Sequence, residues 1–143
     1  MKTRLKWLGA VGWEANSDSG HKIIIDGAPS IGGKNGGCRP MELVLKGLCG
    51  CSGMDVMSML TKQRQTVISA EIEAQAQRAA SVPSVFTAIH LTYRFTGPSL
   101  KATAVERAVR LSMEKYCSVT KMLEPTVEIT YCVELNSVSV SEA

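Results

Sequence analysis

The first third of the chain alternates between apolar and polar positions, a pattern typical of β-strands with one buried face. Residues 4–7 and 11–15 alternate in this way and predict the two strands of a hairpin. A turn-forming cluster over 16–20 precedes the β-branched run 21–26, which predicts a third short strand. A glycine-rich loop over 27–37 then leads to the next element.

The longest apolar stretch, from Met41 to Leu60, predicts a helix that Pro40 opens, where the missing N–H of proline costs nothing. This helix is apolar on nearly every side, so we expect most of its circumference to be buried. Three glycines recur at every third position of the helix, and we call them the glycine stripe: Gly47, Gly50 and Gly53. Each glycine costs about 1 kcal/mol of helix stability against alanine, so we expect another backbone to approach closely there.

Period-two alternation returns in the second half of the chain. Residues 66–76 alternate although their Ala, Glu and Gln content favours helix, and 85–95 alternate as well, so both are predicted as strands. A second helix, N-capped by Ser99 and ending near Cys117, is predicted next. Residues 127–133 predict the last strand.

This order of elements predicts an α+β fold with antiparallel sheets, a long buried central helix and a second helix. We expect a single domain over 1–143, because no linker, repeat or low-complexity tract divides the chain. One small sheet covers one face of so apolar a helix, so a partner subunit is expected to cover the rest. The sequence therefore predicts a homodimer.

Composition and charge narrow the class of function. The net charge of +3 is mild and the basic residues are scattered, which argues against nucleic-acid binding. The apolar stretch could span a bilayer by length, but Lys46 and Asp55 within it would be expensive in lipid, so no membrane partner is expected. The first residues lack an apolar core of signal-peptide length, so we expect a cytoplasmic location.

The cysteines carry most of the possible chemistry. Their odd number and the lack of an export signal argue against a disulfide framework. No pair has C-x-x-C spacing and neither histidine is near a cysteine pair in sequence, so no metal and no cofactor are predicted. Free thiols remain, of which Cys49 and Cys132 are expected to be inert. The five are Cys38, Cys49, Cys51, Cys117 and Cys132.

Two separated motifs resemble the signature of the OsmC/Ohr superfamily. The sequence PMEL at 40–43, followed by GCS at 50–52, resembles the P-x-E-L and G-C parts of that signature. The sequence CSV at 117–119 resembles its C-P-V part, and the segments around both cysteines are most similar to the YhfA-like branch. The order of predicted elements fits over essentially the whole chain, so the resemblance implies the OsmC-like fold, in which the homodimer is intertwined.

The resemblance also implies a thiol-dependent organic hydroperoxide reductase. In the family the first cysteine attacks the peroxide and becomes a sulfenic acid, and the second condenses with it to a disulfide that a dithiol reduces. By position Cys51 would be the peroxidatic residue and Cys117 the resolving one. An arginine braced by the glutamate of P-x-E-L activates the thiol in the family, which here implies Arg39 and Glu42. More remote candidates for the cation are Arg4 and Arg94.

Helix geometry bears on this assignment. Glu42 and Cys51 are nine residues apart, which is about half a turn beyond two full turns, so they face opposite sides of one helix. Arg39 and Glu42 are therefore expected to reach Cys51 of a second chain, in a site at the subunit interface. Asp55 lies one turn after Cys51, and its negative charge disfavours a thiolate.

Two alternatives stay open, and Asp55 together with the choice among several arginines favours the first of them. One is a non-catalytic protein that binds a small hydrophobic ligand, or a partner, at the dimer interface. The other is a thiol redox sensor whose disulfide changes stability or contacts and does not turn over peroxide.

Overall fold

The structure, a computed structural model, describes residues 1–137. The chain divides into two compact units, one over Met1–Lys46 and one from Gly47 onward. The long helix α1 (Pro40–Lys62) runs through the boundary between them. A single domain over 1–143 stays a prediction.

The N-terminal unit contains the three strands that the alternation predicts. They are β1 (Thr3–Gly9), β2 (Gly12–Ser17) and β3 (Lys22–Ile25), joined as an antiparallel sheet in the order β1-β2-β3. Large apolar side chains of this sheet stay exposed in the single chain, among them Trp7 with 64% of its surface accessible. Such a contiguous apolar surface is typical of an interaction site.

One carboxylate organises the glycine-rich loop that comes after β3. Buried Asp26 accepts hydrogen bonds from the backbone N–H groups of Gly27 (2.7 Å), Lys34 (3.0 Å) and Gly36 (3.0 Å). These bonds hold the pKa of Asp26 below its usual value, and the bond from Gly36 has the largest effect. At Gly37 a Cβ would collide with backbone of β3, so this position requires glycine. The ordered loop thereby connects β3 to the start of α1.

The second unit contains a sheet of three strands, β4 (Ser69–Arg78), β5 (Phe86–Gly97) and β6 (Glu128–Ser137). The α+β class is confirmed, but the sheets are not all antiparallel. Strands β4 and β5 pair antiparallel as expected, whereas β5 and β6 pair in parallel. A parallel pair needs a long crossover connection, and the helical segment between β5 and β6 supplies it.

That crossover departs from the single helix expected between Ser99 and Cys117. Helix α2 (Ala102–Leu111) begins two residues later than expected, with Lys101 at its N-cap, so Ser99 does not cap it. A π-helical turn over Ser112–Tyr116 comes next, and Cys117 is the N-cap of a third helix, α3 (Ser118–Leu123). The backbone N–H of Cys117 bonds to the carbonyl oxygen of Ser112, which closes the π turn.

Helix α1 buries one face within the second unit. Its fully buried residues recur at every fourth position, Leu48, Ser52, Val56 and Leu60. By length and composition α1 could cross a membrane, but this face packs in the fold as that of a core helix does. The burial expected around most of the helix is not reached in the single chain, where Met54 is 76% exposed.

The glycine stripe of α1 lies largely open in this unit. Apart from the helix itself, a Cβ built at Gly47 or Gly50 meets no atom of residues 47–137 within 4 Å, while at Gly53 it would approach Cδ1 of Ile72 to 3.0 Å. The close backbone expected along the stripe is therefore not provided by this part of the chain.

A hydrogen-bond cluster joins α1 to the sheet and to the π turn. As the alternation predicts, Tyr93 lies on the buried face of β5. Its hydroxyl is 2.6 Å from Oγ of Ser52, which in turn is 2.8 Å from Oγ of Ser112. All three side chains are fully buried. Buried hydroxyls need such partners, so the cluster fixes these three elements relative to one another.

The cluster predicts a pH dependence of stability. Burial raises the pKa of Tyr93 to about 12, above the value of about 10 of an exposed tyrosine. The neutral hydroxyl therefore stabilises the fold fully below pH of about 10, and this contribution is lost as the pH rises toward the folded-state value. Urea unfolding of Tyr93→Phe should show a smaller loss of stability over that pH range than the wild type. The control is Tyr116→Phe, at a tyrosine that is 52% exposed; equal losses in all three proteins would contradict the prediction.

Candidate active site

Two of the predicted site residues, Cys51 and Cys117, meet in the second unit. Cys51 lies on α1 and Cys117 at the N-cap of α3. Their sulfur atoms and a carboxylate oxygen of Asp55 all lie within 4.8 Å of one another. Cys51 and Asp55 are four residues apart and so share one face of α1. The fold thus brings together two thiols that are 66 positions apart in the sequence.

Cys117 is enclosed by the protein. It is fully buried, and its Sγ accepts a hydrogen bond from the backbone N–H of Thr120 at 3.4 Å. Burial raises the pKa of the Cys117 thiol, the hydrogen bonds of Thr120 act in the opposite direction, and Cys51 raises it further. Cys117 is therefore held as a neutral thiol at neutral pH.

Cys51 and Asp55 form the more accessible side of the cluster, since both are half-buried. The hydroxyl of Ser112 donates a hydrogen bond to Oδ2 of Asp55 at 3.1 Å. The Asp55 side chain is thus fixed by the π turn that leads to Cys117. Its carboxylate lies beside Cys51, as the one-turn spacing predicts, and also beside Cys117.

Arg39 and Glu42 lie in the N-terminal unit, where both are engaged locally. A carboxylate oxygen of Glu42 accepts the backbone N–H of Arg39 at 2.8 Å, the contact by which a third-position glutamate caps a helix. The Arg39 guanidinium donates to the carbonyl oxygen of Gly37 at 3.1 Å. The pairing of the two residues is thus observed, and their approach to Cys51 stays a prediction.

Arg94, a more remote candidate for the activating cation, is already paired. It lies on β5 on the face of the sheet opposite Tyr93 and contacts Glu71 at 2.8 Å, Glu73 at 3.3 Å and Glu134 at 2.9 Å. Neighbouring residues of a strand point to opposite faces, so Arg94 is directed away from the buried face that carries Tyr93. It is therefore a surface ion-pair residue of the sheet.

An open pocket of about 620 Å³ adjoins the cluster at Asp55. Its walls come from α1 and from the crossover, and they mix apolar and basic side chains. The lining residues are Met54, Asp55, Ser58, Met59, Lys62, Gln63, Arg107, Leu111 and Tyr116. The basic side chains on these walls were not singled out by sequence reasoning, because no motif links the two segments.

The remaining cysteines differ in their surroundings. Cys49 is half-buried, and burial, followed by the nearby Cys117, raises the pKa of its thiol. Cys38 is also half-buried, and its sulfur accepts a hydrogen bond from the Lys46 ammonium at 2.9 Å. Cys132 is exposed on β6, with its sulfur 3.5 Å from Nε2 of His90. That Cys132 is inert stays a prediction, against which its exposure argues.

Comparison with known proteins identifies the family. The family described as OsmC-like protein matches residues 33–131, which is more than half of the chain. The chain belongs to the OsmC-like family. Protein YhfA of Escherichia coli strain K12 is 44% identical to it over 140 residues, which cover 94% of this chain and 98% of that protein. This likeness supports the YhfA-like branch of the OsmC superfamily.

Solved structures of other proteins share the fold of this chain. A hypothetical protein from Aquifex aeolicus VF5 is 30% identical, with a TM-score of 0.80 over 95% of this chain and 97% of that one. The organic hydroperoxide resistance protein OhrB of Bacillus subtilis is 20% identical, with a TM-score of 0.65 over 93% and 96% of the two chains. The second likeness shows the fold alone.

Three residues that hold the surroundings of Cys51 and Cys117 together were missed in the sequence. Ser112, Thr120 and Tyr93 lie on elements far from Cys51 along the chain, and they contact its surroundings through the fold. For Tyr93 alone, the sequence pattern could have indicated a role. The alternation places Tyr93 on a buried face, and a buried tyrosine hydroxyl requires a hydrogen-bond partner.

Proposed function

We propose that this OsmC-like chain is a thiol-dependent organic hydroperoxide reductase, with Cys51 as the peroxidatic residue, Cys117 as the resolving residue and a dithiol as the reductant. The observation that carries the proposal is the approach of the two sulfur atoms to within 4.8 Å. Sulfurs this close need a small movement to form a disulfide, whose S–S bond is about 2 Å long.

The difference in burial between the two thiols indicates which of them reacts with the peroxide. Half-buried Cys51 is the thiol that a peroxide can reach, whereas Cys117 is fully buried. The Cys51 thiolate attacks the peroxide O–O bond, which gives a sulfenic acid at Cys51 and an alkoxide that takes up a proton to leave as the alcohol. Two electrons pass from the sulfur to the peroxide in this step.

Resolution then consumes the sulfenic acid. Cys117 attacks the Cys51 sulfur, the S–O bond breaks, and the hydroxide leaves as water with the proton of the Cys117 thiol. An external dithiol reduces the resulting disulfide and is itself oxidised. The raised pKa of the Cys117 thiol suits this order, because a protonated thiol is a weak nucleophile and leaves the attack on the peroxide to Cys51. The cycle uses sulfur alone and needs no bound cofactor.

A homodimer would supply what the single chain lacks. The apolar sheet of the N-terminal unit and the open glycine stripe of α1 both need a cover. A second copy could bring Arg39 and Glu42 to Cys51, because the nine-residue separation on one helix puts Glu42 on the side opposite Cys51 of its own chain. The proposed enzyme is cytoplasmic, as is usual for proteins that keep several free thiols.

The pocket beside Asp55 favours a second candidate function. Met54, Met59, Leu111 and Tyr116 give it apolar walls, and its volume of about 620 Å³ is that of a small-molecule site. A non-catalytic chain could hold a small hydrophobic ligand there. Under the first proposal the same walls would contact the organic part of the peroxide.

The thiol assignment predicts both a product and a rate. Wild-type protein should consume an organic hydroperoxide with a dithiol donor, and peptide mapping after mild oxidation should find a Cys51–Cys117 disulfide. Cys51→Ser should abolish turnover, whereas Cys117→Ser should allow one oxidation that stops at the Cys51 sulfenic acid. The matched control is Cys132→Ser, which should turn over like the wild type.

Other outcomes of this experiment would contradict the assignment. A dominant Cys49–Cys51 or Cys38–Cys51 linkage would show that another residue resolves the sulfenic acid. Absence of turnover, combined with saturable binding of an apolar ligand in the pocket, would favour the non-catalytic function.

The proposed role of Arg39 predicts a change in thiol reactivity. A charged hydrogen bond is worth roughly 1.5–3 kcal/mol, so Arg39→Ala should slow alkylation of Cys51 at neutral pH by about tenfold or more. Asp55→Asn should speed it, because the carboxylate disfavours a neighbouring thiolate. Alkylation rates of Cys51, followed by peptide mass, measure both. Arg78→Ala, at an exposed arginine of β4, is the control, and an Arg39→Ala rate equal to it would remove Arg39 from the site.

The glycine stripe predicts the oligomeric state. The protein should sediment as a homodimer at micromolar concentration, and Gly50→Leu should weaken the dimer because its side chain would fill the space of the second copy. Apart from the helix itself, a Cβ at this position meets no atom of residues 47–137 within 4 Å, so the subunit should still fold. Thr103→Leu, at an exposed position of α2, is the control. A stable folded monomer of the wild type would refute the dimer and the shared site.

A further inference from the structure

The cluster of Cys51, Asp55 and Cys117 has a donor set that peroxide reduction does not explain. A carboxylate beside a peroxidatic thiol disfavours its thiolate, yet Asp55 is held in place by a hydrogen bond from Ser112. We propose that the reduced cluster is a binding site for Zn²⁺ or a similar thiophilic divalent cation, with two thiolates and one carboxylate as ligands. These three groups are the only protein ligands that the proposal requires.

The positions of the ligand atoms suit a tetrahedral ion. Cys51 and Asp55 are one turn apart on α1, and Cys117 faces them from the N-cap of α3. Zinc binds sulfur at about 2.3 Å and carboxylate oxygen at about 2.0–2.2 Å, which puts ligand atoms on the order of 3.5–4 Å apart. The three atoms lie within 4.8 Å of one another already. Movement of less than about 1 Å for each would close the site around a metal.

Two further contacts orient the ligands. Ser112 donates to Oδ2 of Asp55 at 3.1 Å, and the backbone N–H of Thr120 donates to Sγ of Cys117 at 3.4 Å. Metal-binding carboxylates and thiolates are commonly fixed by such outer hydrogen bonds. Cys117 is fully buried while Cys51 and Asp55 are half-buried, so the cation would enter from the side of these two residues.

The ligand types select the kind of cation. Thiolates favour zinc and other soft or borderline ions, whereas magnesium and calcium prefer sites made of oxygen atoms. Three protein ligands leave a fourth position for water, as in zinc sites that are not purely structural. The negative charge of Asp55, unfavourable beside a lone thiolate, here offsets the charge of the cation.

The site would also regulate the thiols, and this part rests on the proposed function. Binding of the cation releases the thiol protons of both cysteines and occupies both sulfurs. Peroxide reduction needs a free Cys51 thiolate, so bound zinc should inhibit turnover. Oxidation to the Cys51–Cys117 disulfide removes both thiolate ligands, so the oxidised protein should release the cation.

Competition with a chromophoric zinc chelator tests the site on the full chain. Reduced wild-type protein should take up one zinc ion per chain that magnesium does not displace, and the oxidised protein should take up none at this site. Asp55→Asn, which keeps the size of the side chain, should weaken binding by at least about tenfold. Cys51→Ser should weaken it further, and Cys132→Ser, which removes an exposed thiol outside the cluster, should bind like the wild type.

The outcomes separate this inference from the proposed function. Zinc binding that is unchanged in Asp55→Asn and Cys51→Ser would place the ion elsewhere and overturn the site. Reduced protein that turns over peroxide but binds no zinc at micromolar concentration would also overturn it, with the proposed function intact. Zinc binding that depends on all three ligands, in a protein that reduces no peroxide, would support the site and overturn the reductase.

Discussion

The geometry of the site depends on one chain of buried hydrogen bonds. A carboxylate accepts hydrogen bonds and does not donate them, so Asp55 sets the direction of the whole chain. Ser112 donates to Asp55, Ser52 can then donate to Ser112, and the Tyr93 hydroxyl to Ser52. The chain links β5, α1 and the π turn. Because Ser52 is next to Cys51 and the π turn precedes Cys117, it also fixes the distance between the two thiols.

Much of the fold could be predicted from local patterns, because these patterns arise from burial. Alternation correctly predicted β4 as a strand although its composition favours helix. It also predicted which side of β5 is buried. The parallel pairing of β6 and the π turn could not be predicted. Both depend on contacts between segments distant in sequence, and a period of two is the same for parallel and antiparallel strands.

The site could be predicted in part. The motifs identified Cys51 and Cys117 through a family resemblance, since no spacing rule connects residues 66 positions apart. Helical periodicity placed Asp55 beside Cys51 correctly. Glu42 caps helix α1, which shows why it is harder to predict which charged residues act on the Cys51 thiol. A carboxylate in the first turn satisfies the backbone whether or not it also serves a distant thiol.

The π turn makes the position of Cys117 sensitive to chain length. It contains one more residue per hydrogen-bonded ring than an α-helix, and its closing bond runs from Cys117 to Ser112. Deleting one residue between them would favour an ordinary α-helical turn and rotate Cys117 and helix α3 by about 100°. The second thiol would then point away from Cys51 although every named residue of the site was kept. A sequence that retains both cysteines but lacks one residue in this interval would therefore carry the motif without its geometry.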